Sequence, residues 1–211
     1  MRRGLSLIEL IFTIVIIALV FTVIPKVILS LNKSDKLVIR QDALFNGISM
    51  VHLISNLAWD QNNTNSNDIL HVSPNANPSL DCSNSTHYRI GGFIGSRSCK
   101  DNLLASTISS DGASDYTQFN DVDDFNGTDI NASYYGLHVE VNYIDDNITY
   151  IGNRAVISLK QNPKTYTTNL KFVDLNITYQ GKRGKKGGQI SQFSYTSSNI
   201  GQITLNKRVW Q

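Results

Sequence analysis

Two groups of residues in this 211-residue chain have types and spacings suited to chemistry. The first is a lone carboxylate, Glu9, set in Leu5-Ser6-Leu7-Ile8-Glu9-Leu10 at the head of an apolar run that continues to Ile24. A charge held at membrane depth costs about 2.5–3.5 kcal/mol on insertion scales, so such a residue usually has a task. Cleavage after Gly4 would expose an α-amine on Leu5, and a neighbouring copy of the chain could present that amine to Glu9. The second group is Asp121-Val122-Asp123-Asp124-Phe125-Asn126-Gly127. Oxygen-rich clusters of this kind suit calcium, which takes six to eight oxygen ligands, so Asp121, Asp123, Asp124 and Asn126 are candidate ligands. The spacing is not that of an EF-hand, because no glycine stands at the sixth loop position and no glutamate closes the set. The competing reading is a solvated turn whose Asp and Asn side chains bond to their own backbone.

Catalysis finds little support. His52, His71, His87 and His138 are scattered, and no serine-hydrolase elbow, zinc-protease helix or phosphate loop is present. The chain is therefore expected not to be an enzyme and to need no cofactor beyond the candidate calcium. Lys182, Arg183, Lys185 and Lys186 lie between glycines and could touch phosphates of DNA or lipopolysaccharide. Four charges without interleaved aromatics are a weak nucleic-acid signature, and a solvated hairpin tip is the favoured reading. Formal net charge is +2, and Arg2 and Arg3 account for the excess, so bulk electrostatics give no sign of a nucleic-acid partner.

Asn-x-Ser/Thr with an aspartate two positions upstream occurs at Asn62, Asn126, Asn131, Asn147 and Asn176. Random placement at this composition would give well under one such site. The form resembles the extended acceptor of bacterial periplasmic N-glycosylation, with Asn62 and Asn126 the leading candidates. Turn chemistry in Asp/Asn/Thr-rich loops is the alternative source of the pattern.

These residues need elements to hold them. Leu5 to Ile24 has the length of a membrane span. Beyond it Val27, Ile28, Leu31, Leu37, Val38, Leu44, Phe45, Ile48, Val51, Ile54, Leu57 and Ala58 recur at helical spacings. The pattern predicts one helix over 5–59, roughly 80 Å long at 1.5 Å per residue, whose apolar stripe packs on a head domain. Pro25 should kink it, or mark a boundary between two helical halves. The polar stretch from Asp60 breaks the helix. Strands are expected over 69–72, 87–94, 134–143, 168–179 and 189–197, the last two paired through the basic hairpin. The fold class is α+β: a long N-terminal helix packed against an antiparallel β-sheet head. The expected domains are a leader (1–4), the membrane and assembly helix (5–59) and a β-rich head (60–211).

Gly4-Leu5-Ser6-Leu7-Ile8-Glu9-Leu10 resembles the prepilin-type signal of type IV pilins and of the pseudopilins of type II secretion. The match covers about the first 30 residues and is highly specific; the remainder is only generically pilin-like. Family members usually have Phe or Met where Leu5 stands and Thr where Ser6 stands. The resemblance implies that a membrane peptidase cuts between Gly4 and Leu5, that Leu5 is N-methylated, and that Glu9 guides subunit entry into a filament. It implies an inner-membrane single-pass protein with a periplasmic head, later drawn into a pilus or pseudopilus. Arg2 and Arg3 ahead of the run agree with a cytoplasmic leader. An ordinary secretory signal would need a small-residue cleavage site, and Leu19-Val20-Phe21-Thr22-Val23-Ile24 offers none. A plain membrane anchor fits the run but leaves Glu9 unexplained.

Export to an oxidising compartment leads to an expected disulfide between Cys82 and Cys99. The implied partners are other subunits through the helix, the prepilin peptidase and an inner-membrane assembly platform. The leading functional expectation is a minor pilin of a type IV or haemagglutinin-like pilus, a group that includes pilins resembling the mannose-sensitive haemagglutinin type. The alternatives are a pseudopilin of type II secretion and a stem-tethered head that binds DNA, sugar or surfaces.

Overall fold

Alternation of apolar and polar residues between 135 and 198 produces the sheet that organises the head. The computed structural model describes residues 6–64, 68–82, 99, 103–109, 115–151, 154–157, 162–180 and 186–200. The chain divides into two units, Met1–Ala43 and Leu44–Gln211. A single helix, α1, runs Leu7–Ser55 and carries Pro25 within it without interruption. It stops four residues short of the expected end. Asn56 and Leu57 donate to the carbonyls of Leu53 and Ile54 in a tightened last turn, and Ala58 then leaves the axis to bridge Asp121.

Within the first unit, the described residues up to Val38 are all exposed, including Leu10, Ile14, Ile17, Phe21 and Ile24. In the second unit the buried face of α1 is Gly47, Met50 and Ile54. This is only part of the expected stripe: Ile54 is buried and Leu44 and Val51 are half-buried, but Phe45 is 71 % and Ile48 52 % exposed. The physical reason is a close approach. A Cβ built on Gly47 would lie 2.5 Å from a side-chain carbon of Ile177 and 2.9 Å from one of Phe193. The helix thus turns a small residue, not its bulkiest ones, towards the sheet.

The sheet has order β1-β2-β5-β6 and is antiparallel throughout. Its strands are β1 (Thr128–Asn131), β2 (Tyr135–Tyr143), β5 (Leu170–Gln180) and β6 (Lys186–Ser198). A separate hairpin pairs β3 (Ile148–Ile151) with β4 (Arg154–Ile157). The α+β arrangement agrees with expectation, as does the β5–β6 pairing. β1, β3 and β4 fall outside the expected strands.

The expected strand at 69–72 is reduced to one bridge, His71 to Leu104. Its neighbour Leu70 is paired by a side chain: Leu70 N donates to Asn199 Oδ1 at 3.0 Å, and Asn199 Nδ2 returns to Leu70 O at 2.7 Å. The expected strand at 87–94 lies outside the described residues. Cys82 and Cys99 form the expected disulfide, with Cα atoms 6.3 Å apart.

Leu137, Val139, Val141 and Tyr143 of β2 fill alternate buried positions. Lys171, Val173, Leu175 and Ile177 alternate likewise along β5, and all four are buried. Register places Tyr143 directly opposite Lys171. A lysine thus occupies an apolar slot of the central strand.

Candidate functional site

Lys171 is fully buried. Nζ donates to the carbonyl of Trp59 at 2.7 Å. It lies 3.1 Å from Asp60 Oδ2 and 2.8 Å from the Asp123 carboxylate. The Trp59 ring centroid is 4.0 Å from Nζ and that of Tyr143 is 5.2 Å, a cation–π arrangement. The two rings meet edge to face at 6.0 Å. Asp60 and Asp123 are themselves at most 1 % exposed.

Three elements converge to build this pocket. The turn after α1 supplies Trp59 and Asp60, and Asp60 Oδ1 caps a short 3-10 turn (Gln61–Asn63) by accepting from Asn62 N. A second 3-10 turn, Asp123–Phe125, supplies Asp123. It is anchored to the helix end by Val122 N donating to Ala58 O. Gly127, at φ +74°, then reverses the chain into β1, a conformation glycine adopts without strain. The neighbouring loop adds Ser106, whose N and Oγ both donate to Asp60 Oδ2 at 3.0 and 2.9 Å. Tyr143 Oη donates to Ser106 O at 2.6 Å and fixes that loop.

Asp60 is therefore well supplied with donors, whereas Asp123 is less well served. Its Oδ1 is buried without an aligned hydrogen bond. Burial pushes the Asp123 carboxyl up to about 6, against the opposing pull of Lys171. Burial, with the charges of Asp123 and Asp124, raises the adjacent Asp121 carboxyl to about 7. One ammonium thus faces more carboxylate than it neutralises, in a site closed to water.

The four candidate calcium ligands have other engagements. Asp121 Oδ1 accepts from the backbone N–H of Asp123 and Asp124 at 2.8 and 3.1 Å. Asp123 faces Lys171, Asp124 Oδ2 accepts from Asn120 N, and Asn126 Oδ1 accepts from Val141 N. Asp121, Asp123 and Asp124 are buried, so the loop is not the solvated turn of the competing reading, although its side chains do bond to backbone as that reading required. Among the described residues no group of three or more His, Cys, Asp or Glu side chains is placed to hold a metal ion.

No family model, curated protein or solved structure matches this chain. The remaining sequence candidates are therefore located by geometry alone. Gly4 and Leu5 lie outside the described residues. Glu9 is exposed in the first turn of α1, its N–H bonded to Ser6 O at 3.0 Å. α1 is long and apolar enough to cross a membrane.

Of the acceptor-like asparagines, Asn62, Asn126, Asn131 and Asn147 are exposed. Asn176 lies within β5 between two partner strands, with Nδ2 donating to Asp174. Asn62 Nδ2 donates to Leu104 O at 2.7 Å. His52, His71 and His138 stand on separate elements; His138 Nδ1 is 2.9 Å from Asp129, and His87 lies outside the described residues. Lys182, Arg183 and Lys185 also lie outside, and Lys186 opens β6.

The sequence reading missed Lys171, Asp60, Trp59 and Tyr143. A signal was present for one of them. In Lys171-Phe172-Val173-Asp174-Leu175-Asn176-Ile177 the lysine is in phase with Val173, Leu175 and Ile177, so period-2 alternation alone puts it on the buried face. Nothing local marks Asp60 or Asp123 as its partners, which are 111 and 48 residues away.

Proposed function

We propose that this chain is a structural pilin-like subunit, inserted as a single-pass inner-membrane protein, cut between Gly4 and Leu5, methylated on Leu5 and drawn into a type IV-type filament. The observation that supports this most is Glu9: a single carboxylate, five positions after a glycine, at the start of a helix whose apolar side chains are left uncovered. Uncovered apolar surface on that scale requires either lipid or other stems. Between lipid and a bundle of stems the apolar driving force is small, because lipid tails are already apolar and close packing must hold stems together. A charge pair then selects register. Glu9 is costly when alone in a dry environment, and that cost disappears when a neighbour's new α-amine reaches it. The partners are other subunits through α1, the prepilin peptidase and the assembly platform, and the β-rich unit is the exported head.

Glu9→Val tests the reading. The variant should insert and be processed as the natural chain is, yet be largely absent from sheared filaments. Normal incorporation would contradict the proposed role of Glu9.

A further inference from the structure

We propose that Lys171 Nζ and Asp123 Cγ condense into an intramolecular amide, with Asp60 carrying the protons. The geometry is that of reactants held in place. Both oxygens of Asp123 lie 2.8 Å from Nζ. The carboxyl carbon between them is then about 3 Å from the nitrogen, so the reacting atoms are already in contact, and a rotation of the carboxyl that turns its face to Nζ aligns them for attack. Nucleophile, electrophile and proton carrier are all buried, so water is excluded from a step that releases water.

The roles follow from the partners of each group. Asp60 Oδ2 receives Ser106 N, Ser106 Oγ and Lys171 Nζ, and so is held as the carboxylate that takes a proton from the ammonium. Asp123 is the poorly satisfied member, with Oδ1 lacking an aligned donor and its carboxyl raised towards neutrality by burial. The neutral amine attacks Asp123 Cγ, forming the C–N bond. Asp60 returns its proton to an Asp123 oxygen, then takes the second proton from the nitrogen and passes it to the same oxygen, which leaves the tetrahedral intermediate as water. The nitrogen loses two protons and the carboxyl loses one oxygen, which together make the water released. Asp60 ends as it began, and no oxidant or co-reactant is consumed. The product replaces a buried ammonium and a buried, incompletely bonded carboxylate by a neutral amide, removing the desolvation cost of both charges. The bond would tie β5 to the turn that begins at Asp123, closing a covalent loop across the head.

The test is peptide mass spectrometry on the full chain, extracted in detergent, reduced, alkylated and digested. The expected result is a branched peptide joining the Lys171 and Asp123 segments, one water lighter than their sum. It should be absent from Lys171→Arg. It should also be absent from Asp60→Asn, whose thermal melt reports whether that variant has folded. Linear peptides bearing unmodified Lys171 and Asp123, a branch at Asp60 instead, or a branch that persists in folded Asp60→Asn would each overturn the proposal. The readout is a covalent mass, so it does not depend on whether the chain enters filaments.

Discussion

Lys171 is the residue on which the head's interior turns. An ammonium in an apolar slot is tolerated only because Asp60, Asp123, the Trp59 carbonyl and two aromatic rings surround it. Relative to the chain before the amide forms, Lys171→Met should cost about 3–5 kcal/mol, since it leaves two carboxylates buried without their cation, and a thermal or urea melt of the head signal would measure it. Asp121 makes a prediction of opposite sense. Its carboxyl is raised to about 7, chiefly by burial, from the ordinary value of 3.8. The folded state therefore holds that proton more tightly than the unfolded chain. The resulting stability is fully present below about pH 4 and is lost as pH rises through about 7. Asp121→Asn keeps an acceptor for the N–H groups of Asp123 and Asp124 and removes the titration. Urea midpoints from pH 4 to 8 should fall less steeply in that variant than in the natural chain.

At the scale of elements, α1 meets the sheet through Gly47. Gly47→Ala must displace Ile177 and Phe193, and an added methyl in such a contact costs about 1–3 kcal/mol. A drop in melting temperature without change in far-ultraviolet helix signal would be the expected result. The disulfide closes a loop with a sequence separation of 17, for which chain entropy gives roughly 3 kcal/mol, so Cys82→Ser with Cys99→Ser should lower stability by about that amount in a non-reducing melt.

Elements differ in how far they could be read beforehand. β2 and β5 announce themselves, because Leu137-Val139-Val141 and Val173-Leu175-Ile177 alternate over many residues. The helix face does not, because the large residues Phe45 and Ile48 point away and a glycine makes the contact. Residues 69–72 have strand composition, but an Asn199 side chain supplies the pairing that a neighbouring strand would have given.

Across the whole molecule two chemistries are separated along the chain. The proposed N-terminal signal is local, with Gly4, Leu5 and Glu9 within six positions, so it is proposed from the sequence alone. The buried Lys171 site draws on residues far apart in sequence, so only folding assembles it. An exposed apolar helix and a head held by a disulfide and a buried ion-pair cluster are compatible with the proposed filament subunit.

The measurement that bears most directly on this reading is the N-terminal residue of the protein taken from membranes of cells with an active prepilin peptidase. Terminal sequencing and mass should give a chain beginning at a methylated Leu5. A chain beginning at Met1 would contradict the proposal, because Glu9 would then have no new α-amine to meet.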